Sequence, residues 1–200
     1  RMEDKKCYFF KQNKHHRWCL DDSQIRQYHL GSALDPSKRW WEGTDIGERQ
    51  LYFIGLSDAV TMCPLICEDL ARQEPTAEVV RAVGPSLVIA ILFDGPQKSY
   101  RWSARYATVL ADDPGCSVLS LTSLGMAMRS KPPGQQISRC VALWKDQKTG
   151  LQEIELAYDK KAIVLAVCCE WEEQWAADGR SDHGTTGTLF LAGVEQIGLL

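Results

Sequence analysis

Short apolar runs alternate with polar, turn-forming segments along the whole chain, and this pattern predicts the secondary structure. Residues 87–93 form an unbroken apolar run, which is typical of a strand covered on both faces of a sheet. An aromatic, β-prone segment at 7–10 predicts an early strand. Comparable runs predict the remaining strands at residues 50–56, 61–67, 117–121, 139–144, 151–156, 162–168 and 188–193.

Helical spacing with start and stop signals predicts three helices, at residues 22–30, 75–83 and 99–111. Asp21, Asp22 or Ser23 could cap the first helix, because their side-chain oxygens accept from free backbone N–H groups. The second begins at Pro75, where a missing N–H costs nothing, and stops at Gly84.

The order of these elements predicts the fold class. Strands and helices alternate in the first part of the chain and hairpins follow, which favours a mixed sheet with helices outside it, an α/β fold. Residues 31–47, rich in Gly, Pro, Ser and Trp, predict a loop. Residues 170–175 predict a surface helical turn with its tryptophans packed inward. We interpret residues 1–200 as one domain.

Composition narrows the range of partners. The 200 residues are 44% apolar, enough for a sizeable core, and carry a net charge of −3. Because no basic block exceeds a few residues, we expect neither nucleic acid nor an anionic membrane as a partner. The apolar runs are too short to span a bilayer and the first residues do not resemble a signal peptide, so we expect a cytoplasmic protein.

The eight cysteines are scattered, and several lie in apolar, strand-like runs. Core thiols in a reducing compartment explain this pattern better than disulfides do. Among them we expect Cys116, Cys140 and Cys168 to be buried.

Cys67 is the sharpest candidate for chemistry. An apolar strand delivers its thiol to the C-terminal strand end, where ligands bind in open α/β sheets. A sharp turn there exposes the side chain and frees backbone N–H groups to hold an oxyanion. A cysteine attacks carbonyl or nitrile carbon when a base or cation activates it. The alternative is that Cys67 is a small buried apolar residue.

The segment 65–69, Leu-Ile-Cys-Glu-Asp, resembles the nucleophile motif of the nitrilase superfamily of carbon–nitrogen hydrolases. Upstream, residues 10–16 resemble the lysine segment of that family, and the strands and helices after Cys67 follow a similar order. The resemblance implies an α-β-β-α sandwich of the nitrilase type, incomplete here at its N-terminus, with no metal or organic cofactor.

The family hydrolyses nonpeptide C–N bonds of amides, nitriles or carbamoyl compounds with a Glu–Lys–Cys triad. By motif position Cys67 is the implied nucleophile, which forms a thioester-type intermediate. Lys14 would stabilise the tetrahedral oxygen together with the backbone N–H of Glu68. Lys11 competes for the lysine role. An ammonium group also favours thiolate, so we expect Cys67 to alkylate faster at neutral pH than the other seven cysteines.

The general-base glutamate of that family has no counterpart here. Glu3 lies in a charged stretch with no strand before it. The resemblance therefore implies either a piece of a longer protein or a protein without its base. A second family glutamate usually follows the lysine; Asp21 and Asp22 are the nearest acids, and we favour Asp22.

Weaker candidates for the substrate pocket are His15 at its mouth, Asp94 after the strand 87–93, and Trp41. Trp41 could bind a flat or apolar group, or could equally plug the sheet or form an oligomer contact. His15, His16, Cys19, Cys63 and Cys67 have spacings unlike those of zinc ligands, so we predict no metal site.

Two alternative functions remain open from the sequence. A non-catalytic relative could serve as an interaction module, which the missing glutamate favours. A glutaminase domain could supply ammonia to a synthetase. The resemblance further implies a homo-oligomer and a small amide or nitrile as the substrate, and the sequence does not identify that substrate.

Overall fold

The computed structural model describes residues 9–45, 47–58, 60–131, 134–184 and 186–198. Within these ranges the strands are β1 (Cys19–Leu20), β2 (Trp40–Trp41), β3 (Ile54–Ser57), β4 (Val60–Ile66), β5 (Leu87–Leu92), β6 (Ser117–Thr122), β7 (Cys140–Asp146), β8 (Gly150–Glu155), β9 (Ala162–Glu172) and β10 (Thr186–Ile197). The helices are α1 (Asp22–Gln27), α2 (Glu78–Val83), α3 (Trp102–Asp112) and α4 (Leu124–Arg129). A 3₁₀ turn, Cys67–Ala71, and a π-type turn, Gln73–Ala77, lead from β4 into α2.

Six strands form the central mixed sheet, in the spatial order β3-β4-β5-β6-β7-β8. The pairs β4–β5 and β5–β6 are parallel, and the other three pairs are antiparallel. Parallel neighbours need crossovers, which α2 and α3 supply. The carboxyl ends of β4, β5 and β6 therefore meet at one edge of the sheet.

Alternating residues of the strands build two separate cores, because successive side chains point to opposite faces. On the helix side, Val88, Val118 and Leu143 join Val80 of α2 and Ala104 of α3. On the other face, residues of β7 and β8 pack against the β9–β10 hairpin: Ala142, Trp144, Ile154 and Leu191. The molecule is thus layered as helices, six-stranded sheet and hairpin.

Asp146 links the hairpin to the sheet. Its carboxylate is fully buried and accepts from the indole Nε1 of Trp144 at 2.6 Å, from the Thr149 hydroxyl at 2.7 Å and from the backbone N–H of Leu191 at 3.0 Å. These bonds hold the pKa of Asp146 below its usual value despite its burial. A buried charge with this many donors is satisfied rather than costly.

The predicted α/β class is confirmed, as a six-stranded mixed sheet with several helices. Asp21 caps α1 through a capping box with Gln24, and Gly84 ends α2 at a φ of 64°. The run 87–93 is a strand, β5, and its second face is covered only in part: Leu87 packs against the core on the hairpin side, whereas Ile91 and Phe93 are exposed. No helix in the described ranges has the length and apolar character needed to cross a bilayer.

Several predicted elements were wrong in detail. Residues 170–172 continue β9, so the predicted helical turn is absent and both Trp171 and Trp175 are exposed. Alternating glutamate and tryptophan there follow a two-residue period, and the hairpin ladder uses it. The helix α4 was not predicted. Phe9 and Phe10 are exposed and outside any strand, and the rest of the predicted early strand lies outside the described residues.

The seven cysteines within the described ranges are free thiols. Cys116 and Cys140 are buried, as predicted. Cys168 is exposed, which corrects the expectation for it. It lies on the same face of β9 as Val164 and Ala166, which is the exposed face pointing away from the sheet.

Candidate active site

Cys67 stands at the first residue after β4, where the backbone turns sharply. Its φ is 51°, in the left-handed region that a residue with a side chain adopts only at a cost. Ile66 before it is still extended, and Cys67–Ala71 is a 3₁₀ turn. Strained non-glycine residues of this kind cluster at functional sites. The first N–H groups of such a turn have no partner within it, so the N–H of Glu68 can serve an oxyanion.

Lys14 and Glu42 form an ion pair beside this turn. The Nζ of Lys14 donates to Oε2 of Glu42, and only 6% of the lysine side chain is exposed. The same carboxylate oxygen accepts from the backbone N–H of Trp18 at 2.7 Å. Both charges act on the Cys67 thiol. The structure thus pairs the predicted lysine with a glutamate that sequence reasoning had not selected.

Glu42 is 28 residues from Lys14 along the chain, and the short antiparallel pair β1–β2 brings the two together. In β1–β2, Cys19 pairs with Trp41 and Leu20 pairs with Trp40. The pairing continues as Glu42 N–H donates to Trp18 C=O at 3.0 Å. The predicted loop 31–47 therefore contains a short strand that delivers Glu42. The only sequence signal was the β-prone Trp-Trp pair directly before it.

Polar anchors, rather than a strand ladder, hold the segment that carries Lys14. The buried carboxylate of Asp69 accepts from the backbone N–H of His15 at 3.0 Å, from that of His16 at 2.9 Å, and from the His16 ring at 3.1 Å. The amide of Gln12 donates to the Pro64 carbonyl at 2.7 Å. The short strand β3 pairs only with residues 60–62 of β4, so the carbonyl of Pro64, two residues further along β4, has no partner in β3. Asp69 therefore ties the lysine segment to the turn that carries the thiol.

The thiol opens on a cavity of about 290 Å³ at the carboxyl ends of β4 and β5. Its wall combines aromatic rings with polar and charged groups from α1, the 3₁₀ turn and the start of α3: Trp18, Gln24, Gln27, Tyr28, Cys67, Glu68, Phe93, Asp94, Arg101 and Trp102. Such a size suits a small molecule. Cys67, Glu68 and Asp94 share this cavity, as the pocket hypothesis requires.

Asp94 is a buried hydrogen-bond centre in the cavity wall. Its carboxylate accepts from Arg101 at 2.7 and 2.9 Å, from the indole of Trp102 at 2.8 Å, and from the Tyr28 hydroxyl at 3.3 Å. Burial and the nearby Asp94 charge raise the pKa of Tyr28 to about 12, so its hydroxyl stays a donor at neutral pH.

Lys14 and Glu42 lie beside the turn and are not among the residues that line the cavity, and three other candidates also lie outside its wall. Asp22 pairs with Arg26 at the exposed start of α1, so Glu42 and not Asp22 accompanies the lysine. His15 is buried rather than at the pocket mouth. Trp41 is 57% exposed, and the Arg17 guanidinium lies 5.6 Å from its ring centroid. Lys11, the competitor of Lys14, is exposed.

The surroundings of Cys67 favour its protonated thiol over the thiolate. Burial raises its pKa above the ordinary value; Lys14 and the N–H of Phe93 lower it, and Glu42 and Asp94 raise it. Burial outweighs the ammonium, because the thiolate would leave water and because Glu42 balances Lys14. This direction runs against the expected thiolate at neutral pH, and a protonated thiol needs a base to take its proton when it attacks a substrate.

We expect iodoacetamide to label Cys67 slowly at pH 7 and faster as the pH rises past the ordinary thiol range. Lys14→Gln should slow labelling several-fold at a fixed pH, because the cation that lowers the thiol pKa is gone. Glu42→Gln should speed it, because an anion that raises this pKa is gone. Peptide mass spectrometry across pH 6–10 measures both rates. Equal rates in the two variants would contradict this electrostatic account.

No three His, Cys, Asp or Glu side chains converge as a possible metal site in the part of the chain that the structure describes. Comparisons of the chain with protein-family models, with curated proteins and with solved structures found no match.

Proposed function

We propose that the chain hydrolyses a nonpeptide C–N bond, in an amide, nitrile or carbamoyl compound, with Cys67 as the nucleophile. One arrangement carries the proposal: a thiol on a strained turn opens on a small-molecule cavity, and the buried Lys14 ammonium, paired with the half-buried Glu42, acts on that thiol. A nucleophile, a cation and a carboxylate are the groups that acyl transfer through a thioester needs. The resemblance of residues 65–69 to the nitrilase nucleophile motif supports the same reaction.

In the first half of the proposed reaction on an amide, the sulfur attacks the carbonyl carbon and the thiol proton passes to Glu42. The tetrahedral oxygen is held by the Lys14 ammonium and the N–H of Glu68. Glu42 returns the proton to the nitrogen as the C–N bond breaks, so ammonia leaves and a thioester remains. In the second half water attacks the thioester and Glu42 takes its proton. Glu42 then gives this proton to the sulfur as the C–S bond breaks, so the carboxylic acid leaves and the Cys67 thiol is restored.

Glu42 is the proposed base because of its free oxygen. Its Oε2 is occupied by Lys14 and Trp18, whereas its Oε1 has no hydrogen-bond partner among the described residues. The other carboxylate that acts on the thiol, Asp94, is taken up by Arg101, Trp102 and Tyr28. Glu42 would then fill the general-base role for which the sequence offered no matching residue.

We also propose that the hairpin β9–β10 belongs to the second sheet of an α-β-β-α sandwich. It covers the sheet face opposite the helices, as a second sheet does in that architecture. Beside it lies an apolar groove of about 420 Å³, lined by residues of β6, β7, β8 and β9. Further strands would fill such a groove.

Ammonia release from a panel of small primary amides, nitriles and carbamoyl compounds tests the proposal. Glutamine belongs in the panel, because its selective hydrolysis would indicate a glutaminase. Hydroxylamine should convert the thioester into a hydroxamate, which mass spectrometry identifies. The control variant is Cys63→Ala, which removes a thiol from the same face of β4 and should retain turnover.

Cys67→Ala should abolish both ammonia and hydroxamate, because the acyl acceptor is gone. If no compound in the panel releases ammonia, or if Cys67→Ala releases it as fast as the native chain, the proposed hydrolysis is wrong. A role as an interaction module would then take its place.

A further inference from the structure

Arg101 presents unused hydrogen-bond donors in the wall of the Cys67 cavity. The residue lies at the N-cap of α3, and its guanidinium binds Asp94 through Nη2 alone, at 2.7 and 2.9 Å. Its Nε is buried and has no partner, and Nη1 makes no bond to a described residue. Of these two nitrogens, Nη1 is the donor that a ligand can reach, because Nε is buried.

Asp94 holds Arg101 in place, and its carboxylate oxygens are already occupied by hydrogen bonds from the protein. Both carboxylate oxygens of Asp94 accept hydrogen bonds: from Nη2 of Arg101, from the Trp102 indole and from the Tyr28 hydroxyl. These groups lie just after β5, at the start of α3 and at the C-cap of α1, so three parts of the fold hold the guanidinium from one side. Fixed donors of this kind bind an acceptor with little reorganisation.

The other charges around the cavity are already paired. Lys14 pairs with Glu42, and Glu68 in the cavity wall pairs with Arg72 at 2.6 Å. Asp94 neutralises the charge of Arg101. Its carboxylate accepts hydrogen bonds only from Nη2, so Nε and Nη1 have no acceptor among the described residues. A carboxylate suits the remaining Nη1 group, because a hydrogen bond between a charged donor and a charged acceptor is about twice as strong as one between neutral groups.

We propose that the substrate of this site carries a carboxylate group, and that Arg101 binds this carboxylate within the Cys67 cavity. The inference rests on the proposed function for the identity of the reacting end of the substrate. What it adds is the group at the other end of the substrate, which would be a small amide or nitrile that carries a carboxylate rather than a neutral amide or nitrile. Trp18 and Trp102 would flank the apolar part between the two ends.

Iodoacetate and iodoacetamide test this inference without knowledge of the substrate. The two reagents are nearly equal in size, and both lose iodide to the sulfur of Cys67, but only iodoacetate carries a carboxylate. Both react with the same thiolate. The ratio of their rate constants at Cys67 therefore cancels the thiolate fraction and reports how the cavity treats the anion.

Arg101→Gln should lower the iodoacetate-to-iodoacetamide ratio roughly tenfold, the effect of losing one charge-assisted hydrogen-bonded contact. Arg101→Lys should retain part of the preference, because the charge remains. Arg105→Gln, an exposed arginine one turn further along α3, should leave the ratio unchanged. Peptide mass spectrometry at pH 9 measures the ratio at Cys67 itself.

Arg101→Gln leaves the Asp94 carboxylate buried without its cation, which could disturb the fold. The comparison of Asp94→Asn with Asp94→Asn plus Arg101→Gln removes that difficulty, and the ratio should again fall. A ratio unchanged in both comparisons overturns the inference. This outcome is independent of turnover: a chain that hydrolyses amides but shows no change in the ratio refutes only the carboxylate.

Discussion

We expect Lys14→Met to lower the kcat for amide hydrolysis roughly 10²- to 10³-fold, the loss that follows removal of one oxyanion donor. The KM should change much less, because the ammonium meets a charge that develops only in the transition state. Methionine keeps the length of the apolar stem, so the buried site is filled. Steady-state ammonia release with the best substrate of the panel measures both constants.

Lys11→Met is the matched control, because it alters an exposed lysine in the same segment and should leave kcat unchanged. Circular dichroism checks that both variants are folded. A Lys14→Met protein with more than about a tenth of the native kcat, beside an inactive Cys67→Ala protein, would remove Lys14 from the oxyanion role and leave the nucleophile in place.

Trp144→Ala should lower the free energy of unfolding by about 3–5 kcal/mol, the range for truncating a buried aromatic residue. Trp144 is the largest fully buried side chain, and it fills the core between the sheet and the β9–β10 hairpin. Its indole also donates to Asp146, so the alanine takes a donor from a buried carboxylate. Urea unfolding followed by circular dichroism gives this free energy from the midpoint and slope.

Trp175→Ala provides the comparison, since 66% of that tryptophan is exposed and its loss should change stability by about 0.5 kcal/mol or less. If the two variants unfold at the same urea concentration, the hairpin does not pack on the sheet through Trp144. The three-layer arrangement would then need revision.

The sheet was predictable from the sequence because its strands are local apolar runs. The parallel strands β4, β5 and β6 follow from runs of five to seven residues, at 61–67, 87–93 and 117–121. The hairpin was only half predictable. Beyond Cys168 its residues alternate without a core to face, and a pattern of glutamate and tryptophan there does not distinguish an exposed strand from a helix.

The residues of the candidate site also differ in how far a local sequence pattern identifies them. Cys67 was identifiable, because its position depends on the strand before it and the turn after it. Glu42 was missed because its place depends on β1–β2, a pairing of two residues across a loop. Sequence distance favoured Asp22, which is nearer to Lys14 along the chain, whereas the fold brings Glu42 to the lysine. Contacts of this kind depend on tertiary structure and leave no local pattern.

Because of the way residues 9–18 are attached, we expect this segment to detach at a lower free energy than the central sheet unfolds. This segment carries Lys14 but contributes no residues to the central sheet, and side-chain bonds from Asp69 and Gln12 hold it there. Regions with few backbone ladders open locally at a lower free energy than the core. The lysine can therefore detach while the six strands stay folded, and mild denaturant or heat would separate the ammonium from the thiol before the global transition begins. The thermal limit of the proposed catalysis would then be set by a few buried polar bonds.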